Sequence, residues 1–227
     1  MPVRRLLPLT DEPAVRQVLG QISRFDWVIF CSPGSVQSAW AAVPRPWPTS
    51  TGVAVVGPGT GAVLQALAGD SFGPSHPPLS PRQPPFDAAA LMREAPFVRP
   101  KGLRILVVRG ETGREDWIES LRAAGAEVER VAVHRSEPTA LPAAAVTLAR
   151  RWLEEGAVRP VFCLFTAGDA IEGLSAALPM AGRDRACALA VHPRLALALH
   201  KCGWLRAGVI EPGETGLLAA IESGPTP

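Results

Sequence analysis

The chain repeats one local pattern: an apolar, β-rich run, a turn rich in glycine, serine or proline, then a stretch with helical periodicity. "FDWVIFCSPGSVQSAW" opens with a strand over about residues 26–31 and turns at Ser32–Ser35. "VAVVGPGTGAVLQAL" repeats it, and "LRILVVRGETGREDWIESLRAAGAEVERVAVHR" does so again and runs on into a further strand. "PVFCLFTAGDAIEGLSAAL" and "ACALAVHPRLALALHKCGW" resume it in the second half. Parallel strands need long crossover connections, and a helix after each strand supplies one. Continuous apolar runs alternating with helices therefore predict an α/β fold, its parallel sheets covered on both faces.

The two halves echo each other at a fixed offset. Phe30 and Phe165 stand 135 positions apart, as do Val36 and Ile171, Pro58 and Pro193, and Leu64 and Leu199. That distance is too long for a solenoid period. It predicts two similar α/β domains, which 227 residues can supply; one larger sheet is the alternative that the alternation alone leaves open.

Between the halves, "SFGPSHPPLSPRQPPFDAAAL" and the following "FVRP" carry eight prolines from Pro74 to Pro100. Such density forbids a helix and predicts an extended surface connector without a function of its own. Asp87 reads as the N-cap of a short helix that ends before Pro96. The domain junction is expected later, near "VAVHRSEP", with "RRLLPL" pairing to it as a two-stranded hinge. The expected division is residues 11–130 for the first domain, and 1–10 with 131–227 for the hinge strands and second domain.

Composition narrows the partners. Hydrophobic residues at 47% and charged residues at 19% describe a soluble globular chain, and a net charge of +2 argues against a dedicated nucleic-acid binder. Only Lys101 and Lys201 accompany 21 arginines. Arginine grips carboxylates and phosphates bidentately, although a GC-rich genome produces the same bias. Cys31, Cys163, Cys187 and Cys202 show no metal spacing and read as reduced, buried thiols of a cytoplasmic protein. Met1 to Thr10 lacks a signal-type apolar region, and no run approaches the roughly 20 residues of a membrane span.

In open parallel sheets, ligands bind outside the carboxyl ends of the strands. Five turns fit that position: Ser32–Ser35, Gly57–Gly61, Arg109–Arg114, Thr166–Asp169 and His192–Arg194. As a set they bring Ser32, Gly34 and Ser35; Gly57, Gly59 and Thr60; Arg109, Gly110 and Arg114; Thr166, Ala167 and Gly168; and His192 and Arg194. Hydroxyls, glycine N–H groups, helix N-termini and guanidinium groups are equipment for a polyanion. There is no Walker lysine and no paired nucleophile and base. The glycines at 57, 59 and 61 miss the G-x-G-x-x-G spacing, and no acidic residue follows on a strand about 20 residues on, so a dinucleotide is disfavoured. Of the histidines, His76 lies in the proline stretch, His200 on a helix, and His192 opens a helix toward an anion. His134 ends the hinge strand, facing either a cleft mouth or the core, where a histidine can donate a proton near neutral pH.

"DWVIFCSPGSV", "VVGPGTGAVLQALAG", "ILVVRGETGRE", "LRAAGAEVERVAVHR", "CLFTAGDAI" and "VHPRLALALHKCGW" together resemble the uroporphyrinogen-III synthase family, in its order and spacing and over nearly the whole chain. The "HPR" of the last turn is similar to the proteobacterial branch. The resemblance implies two flavodoxin-like, parallel-sheet domains joined by a two-stranded hinge, with the active site in the cleft between them. It implies a cofactor-free, metal-free, monomeric cytoplasmic enzyme of heme biosynthesis. Its substrate would be hydroxymethylbilane, a linear tetrapyrrole bearing eight carboxylates, with possible hand-off from hydroxymethylbilane synthase and no nucleic-acid or membrane partner. Loss of the terminal hydroxyl gives an azafulvene, and attack at the substituted carbon of the last pyrrole leads through a spiro intermediate to an inverted ring.

Two departures from the family pattern stand out. The family's hinge tyrosine is replaced by His134 in a chain with no tyrosine at all, which makes His134 the candidate catalytic acid. The family's first strand–helix unit has no counterpart before "RRLLPL", so the second domain is expected to lack an interior strand. A non-catalytic relative that binds an acidic ligand or a protein partner is the alternative reading.

Overall fold

The computed structural model describes residues 4–69, 71–72, 77–139, 141–155 and 160–223. The chain divides into two units, Leu6–Glu137 and residues 1–5 with Pro138–Pro227. Strand β1 (Arg4–Pro8) straddles the division.

The unit Leu6–Glu137 is built from α1 (Pro13–Gly20), β2 (Trp27–Phe30), α2 (Pro33–Ala39), β3 (Gly52–Val55), α3 (Pro58–Ala68), α4 (Ala88–Leu91), β4 (Arg104–Gly110), α5 (Asp116–Ala123) and β5 (Glu127–Pro138). Its strands run in the order β1-β5-β4-β2-β3, and the β3-β2, β2-β4 and β4-β5 pairs are all parallel. "RRLLPL" thus lies beside the strand of "VAVHRSEP", the pairing expected from the sequence. Strand order reverses between β2 and β4, because β3 continues from β2 on one side and β5 from β4 on the other.

Each central strand is apolar on both sides because both faces of the sheet are covered. Val28, Phe30, Leu106 and Val108 join Leu19, Val36, Trp40 and Leu64 on one face. Ile29, Ile105 and Val107 alternate with them and meet Leu91, Trp117, Ile118 and Leu121 on the other. Each such side chain contributes about 1.5–3 kcal/mol when fully buried. Helices α1, α2 and α3 each open on proline, whose missing N–H costs nothing in a first turn.

Asp87 caps α4 as expected, its carboxylate accepting from the Ala90 N–H at 2.9 Å. The proline stretch is more than a connector. The Val55 N–H donates to Leu79 O at 2.8 Å, and the Leu79 N–H to Val53 O at 2.9 Å, a parallel bridge at Ala54↔Leu79 on the outer edge of β3. Prolines flanking Leu79 cannot extend the ladder, so the edge of the sheet is covered without a new edge strand forming. His76 lies outside the described residues.

The second unit contains α6 (Ala143–Glu155), β6 (Phe162–Phe165), α7 (Gly168–Ala177), β7 (Cys187–Ala190), α8 (Pro193–Lys201), β8 (Arg206–Val209) and α9 (Glu214–Ser223). Its three parallel strands pair consecutively, β6-β7-β8. Among the described residues, the open backbone rows of this sheet lie at its two edges, along β6 and β8. One face carries a substantial core of Leu153, Phe165, Ile171, Leu195, Leu199 and Trp204. Among the described residues the other carries a small cluster, Leu189, Ile210 and Ala220. Arg183 is 7% exposed and donates to the Leu178, Pro179 and Cys202 carbonyls at 2.5, 2.9 and 2.8 Å, which ties the C-terminal ends of α7 and α8 together.

The 135-residue echo is structural. Phe30 and Phe165 end β2 and β6, Val36 and Ile171 are the fourth residues of α2 and α7, and Pro58 and Pro193 open α3 and α8. Leu64 and Leu199 are both fully buried. All four cysteines are free, but only Cys187 is fully buried; the other three are half-buried, a correction to their reading from sequence. Burial pushes the Cys31 thiol up to about 12 and that of Cys163 up to about 11, which leaves both unreactive at neutral pH. No described helix is long and apolar enough to cross a membrane, and the described residues hold no cluster able to bind a metal ion.

Candidate active site

Within Leu6–Glu137, the turns after β2 and β4 stand on either side of the point where strand order reverses, the crevice at which open α/β sheets bind ligands. After β2, Ser32 caps α2. The Ser35 N–H donates to Ser32 Oγ at 3.1 Å, and the Ser32 N–H donates to Ser35 Oγ at 3.0 Å. Ser35 Oγ also donates to Ser32 O at 2.7 Å, so both hydroxyls serve their own helix start.

After β4, Arg109 is buried and folds into its own turn. Its guanidinium donates to Gly110 O at 3.2 Å and Arg114 O at 2.9 Å and stands 3.9 Å from the Glu115 carboxylate. These groups brace the turn from within. Gly113, at φ +136°, lies so close to this guanidinium that an added Cβ would stand 2.4 Å from Nη2. Arg114 is exposed and grips Asp116, with Nε 3.0 Å from one carboxylate oxygen and Nη2 bonded to the other. That contact holds the Asp116 carboxyl below its ordinary range.

His134 lies on β5 against both turns. The β4–β5 register runs regularly to Arg109↔Ala132 and then jumps to Gly110↔His134, which leaves Val133 as an extra residue. Val133 enters the core at 0% exposure, while His134 is 7% exposed at the end of the sheet. A Cβ on Gly34 would stand 3.5 Å from His134 Cε1, and one on Gly110 would stand 2.7 Å from Nε2. Nδ1 is buried with no hydrogen-bond partner among the described residues. Burial holds the imidazole below its ordinary 6.5, so it is neutral at pH 7.

Gly57, the N-cap of α3, is extended and packs on Phe86, where an added Cβ would lie 3.1 Å from Phe86 Cβ. No side chain caps α3. Pro58 brings no N–H, and Thr60 bonds Gly57 O at 3.1 Å. That leaves the exposed Gly59 N–H as the donor for which a helix start provides no internal acceptor.

In the second unit, Thr166, Ala167 and Gly168 form the exposed start of α7, where Ala167 has no side chain able to cap it. His192 caps α8, its Nδ1 accepting from the Arg194 N–H at 3.2 Å, and the Arg194 side chain is exposed. The structure therefore groups His134, Gly34, Gly110 and the Arg109–Arg114 turn at one sheet end. Gly57–Thr60 follows the next strand of the same sheet, and Thr166–Gly168 and His192–Arg194 belong to the other unit. Sequence reasoning missed the β-bulge at Val133 and the buried Arg183; a lone arginine in a polar stretch carries no signal that separates burial from solvation.

A family profile described as "Uroporphyrinogen-III synthase HemD" matches residues 1–215. The chain belongs to the uroporphyrinogen-III synthase family. The fold agrees. A uroporphyrinogen-III synthetase from Helicobacter pylori superposes with a TM-score of 0.61 at 14% identity, over 98% of this chain and 91% of that one. A mutant uroporphyrinogen III synthase from Thermus thermophilus does so with a TM-score of 0.58 at 18% identity, over 97% of this chain and 86% of that one. No curated protein sequence matches. At such low identity the likeness to the solved synthases is one of fold, so roles within the site rest on this chain's own geometry.

Proposed function

We propose that this protein is a uroporphyrinogen-III synthase of heme biosynthesis. It converts hydroxymethylbilane to uroporphyrinogen III with inversion of the last pyrrole ring, as a cyclising hydro-lyase that needs no cofactor. The family match over residues 1–215 carries the reading. A substrate with eight carboxylates suits a set of strand-end turns whose offerings are backbone N–H groups, hydroxyls and arginines. The exposed starts of α3 and α7, with the N–H groups of Gly59 and Gly168, supply donors that no capping side chain has taken. The Ser32–Ser35 and His192–Arg194 turns take carboxylates at their rims, where Arg194 is exposed. Arg109 shapes the 109–114 turn from within, and Arg114 meets substrate at its surface by exchanging Asp116 for a substrate carboxylate.

His134 is the proton donor to the departing hydroxyl in this proposal. Its resting state is neutral, so it gains its proton as the polyanion arrives and raises the imidazole's affinity for it. Once charged, the imidazolium passes that proton to the departing hydroxyl, the work of a histidine general acid near neutral pH. Most of the remaining catalysis is templating: holding the chain of pyrroles so that the substituted carbon meets the azafulvene.

The experiment is product analysis. Hydroxymethylbilane closes by itself to the type I isomer, so the wild-type protein is expected to give type III as the main product at catalytic concentrations. Type I alone, at micromolar protein, would reject the assignment. The protein should act as a monomer in the cytoplasm, with hydroxymethylbilane synthase as its supplier.

A further inference from the structure

Gly110 is not explained by backbone conformation. It is absent from the glycines with positive φ among the described residues, although it stands where the β4–β5 register shifts. What forbids a side chain there is the imidazole of His134. An added Cβ would meet Nε2 at 2.7 Å, Cε1 at 3.4 Å and Cδ2 at 3.3 Å, which is the whole edge of the ring. Gly34 leaves room on a second side, at 3.5 Å from Cε1 and 3.8 Å from Nε2. The bulge completes the arrangement, because the extra residue Val133 lets His134 arrive opposite Gly110 while Val133 stays in the core. Beyond the bulge, the Glu111 N–H donates to His134 O at 2.9 Å and fixes the strand again.

We propose, resting on the reading of His134 as proton donor, that Gly110 is a positioning residue. The bare backbone at Gly110, with Gly34 as the second wall, forms a slot that sets where the imidazole points. Gly110 of β4 and Gly34 of α2 both approach the ring, and Leu6 Cδ1 of β1 lies 2.5 Å from the Cβ position of Gly34. None of these can ionise. The nearest charged side chain on β4, Arg109, is turned into its own turn, and Arg135 on β5 pairs with Glu137 at 3.3 Å. The slot therefore acts on the imidazole through desolvation and steric placement.

The test is a double-mutant cycle on the full chain with Gly110→Ala, His134→Ala and both together, read by turnover of hydroxymethylbilane and by NMR titration of the histidine ring protons. Gly20→Ala is the control, since an added Cβ there meets nothing within 4 Å. Gly110→Ala is expected to lower turnover 10-fold or more and to move the His134 midpoint up toward the ordinary value, as the ring is driven out of its slot. In the His134→Ala background the same change is expected to alter turnover less than 2-fold, because there is no ring to displace. An equal loss in both backgrounds, or an unmoved His134 midpoint in Gly110→Ala, would overturn the inference. Should Gly110→Ala alone fail to fold, recovery of the fold on adding His134→Ala supports the slot, and continued failure overturns it. Wild-type turnover in His134→Ala would reject the proton-donor reading itself, while the NMR midpoint would still report on the slot.

Discussion

The two units use the same strand–turn–helix element in different surroundings. Ile29 on β2 and Leu164 on β6 are equivalent under the 135-residue offset, yet Ile29 is fully buried and Leu164 is 47% exposed. The cause is the neighbouring structure. In Leu6–Glu137, β2 has β3 on one side and β4 on the other, and Trp117, Ile118 and Leu121 of α5 lie over Ile29 and its neighbours. In the other unit β6 pairs with β7 alone, and its far edge is unpaired among the described residues. On the opposite side the units agree, with β8 on β7 where the Leu79 bridge lies on β3. One local pattern thus yields a two-sided core or a one-sided one according to what lies next to it.

The helix starts differ in a complementary way. Ser32 and Ala167 are equivalent N-caps, as are Gly57 and His192. Ser32 and His192 cap their helices with side-chain acceptors, whereas Gly57 and Ala167 cannot. Of these equivalent pairs, each unit therefore has one helix start closed by a side chain and one that offers backbone donors.

The contrast in packing gives the largest expected effect. Ile29→Ala should cost about 2–5 kcal/mol, the usual range for emptying a packed core site. Leu164→Ala should cost about 1 kcal/mol or less, because half of the side chain is already in water. Native-state hydrogen exchange, resolved for each unit's amides, reads the two separately. Equal costs would mean that the β6 face is covered in solution.

The cap contrast is smaller and has opposite signs. Ser32→Ala should destabilise by about 1 kcal/mol, and Ala167→Ser should stabilise α7 by about 0.5–1 kcal/mol. If the open start of α7 receives a carboxylate, Ala167→Ser should also raise KM severalfold as the new hydroxyl competes for its N–H groups. A stabilised variant with unchanged KM would remove that start from the binding surface.

The smallest effect concerns pH. His134 has a folded pKa below its ordinary 6.5, so as pH falls the unfolded chain binds the proton first. Stability should be full above about pH 7 and decline from there down to the folded value. His134→Phe should flatten this decline in urea midpoints measured between pH 7 and 5. A wild-type profile without the decline would mean that the imidazole is not desolvated.

Much of the fold was legible because it depends on short-range rules. Apolar alternation located the strands, Pro58 and Pro193 marked helix starts, and Asp87 announced its cap. The turns of the candidate site were legible as strand ends for the same reason. What escaped depends on contacts between distant residues. Leu79 sits in a stretch that reads as a connector, and only the outer edge of β3 makes it a ladder partner. Arg109 carries the same charge whether it reaches outward or braces its turn, and its direction depends on Gly113 and on the carbonyl of Arg114. Nothing local shows that Gly110 makes room for a ring 24 positions later, or that a bulge will bring that ring to it.

The most direct measurement is single-turnover conversion of hydroxymethylbilane by His134→Phe and His134→Tyr beside wild type, with isomers resolved. His134→Phe keeps the bulk of the ring and removes its proton. The account predicts a fall of roughly 10²-fold or more in turnover, the scale of a lost general acid, with substrate still bound and much of the rate restored by His134→Tyr. Near-normal formation of the type III isomer by His134→Phe would contradict it and leave His134 as a packing residue of β5 opposite the end of β4.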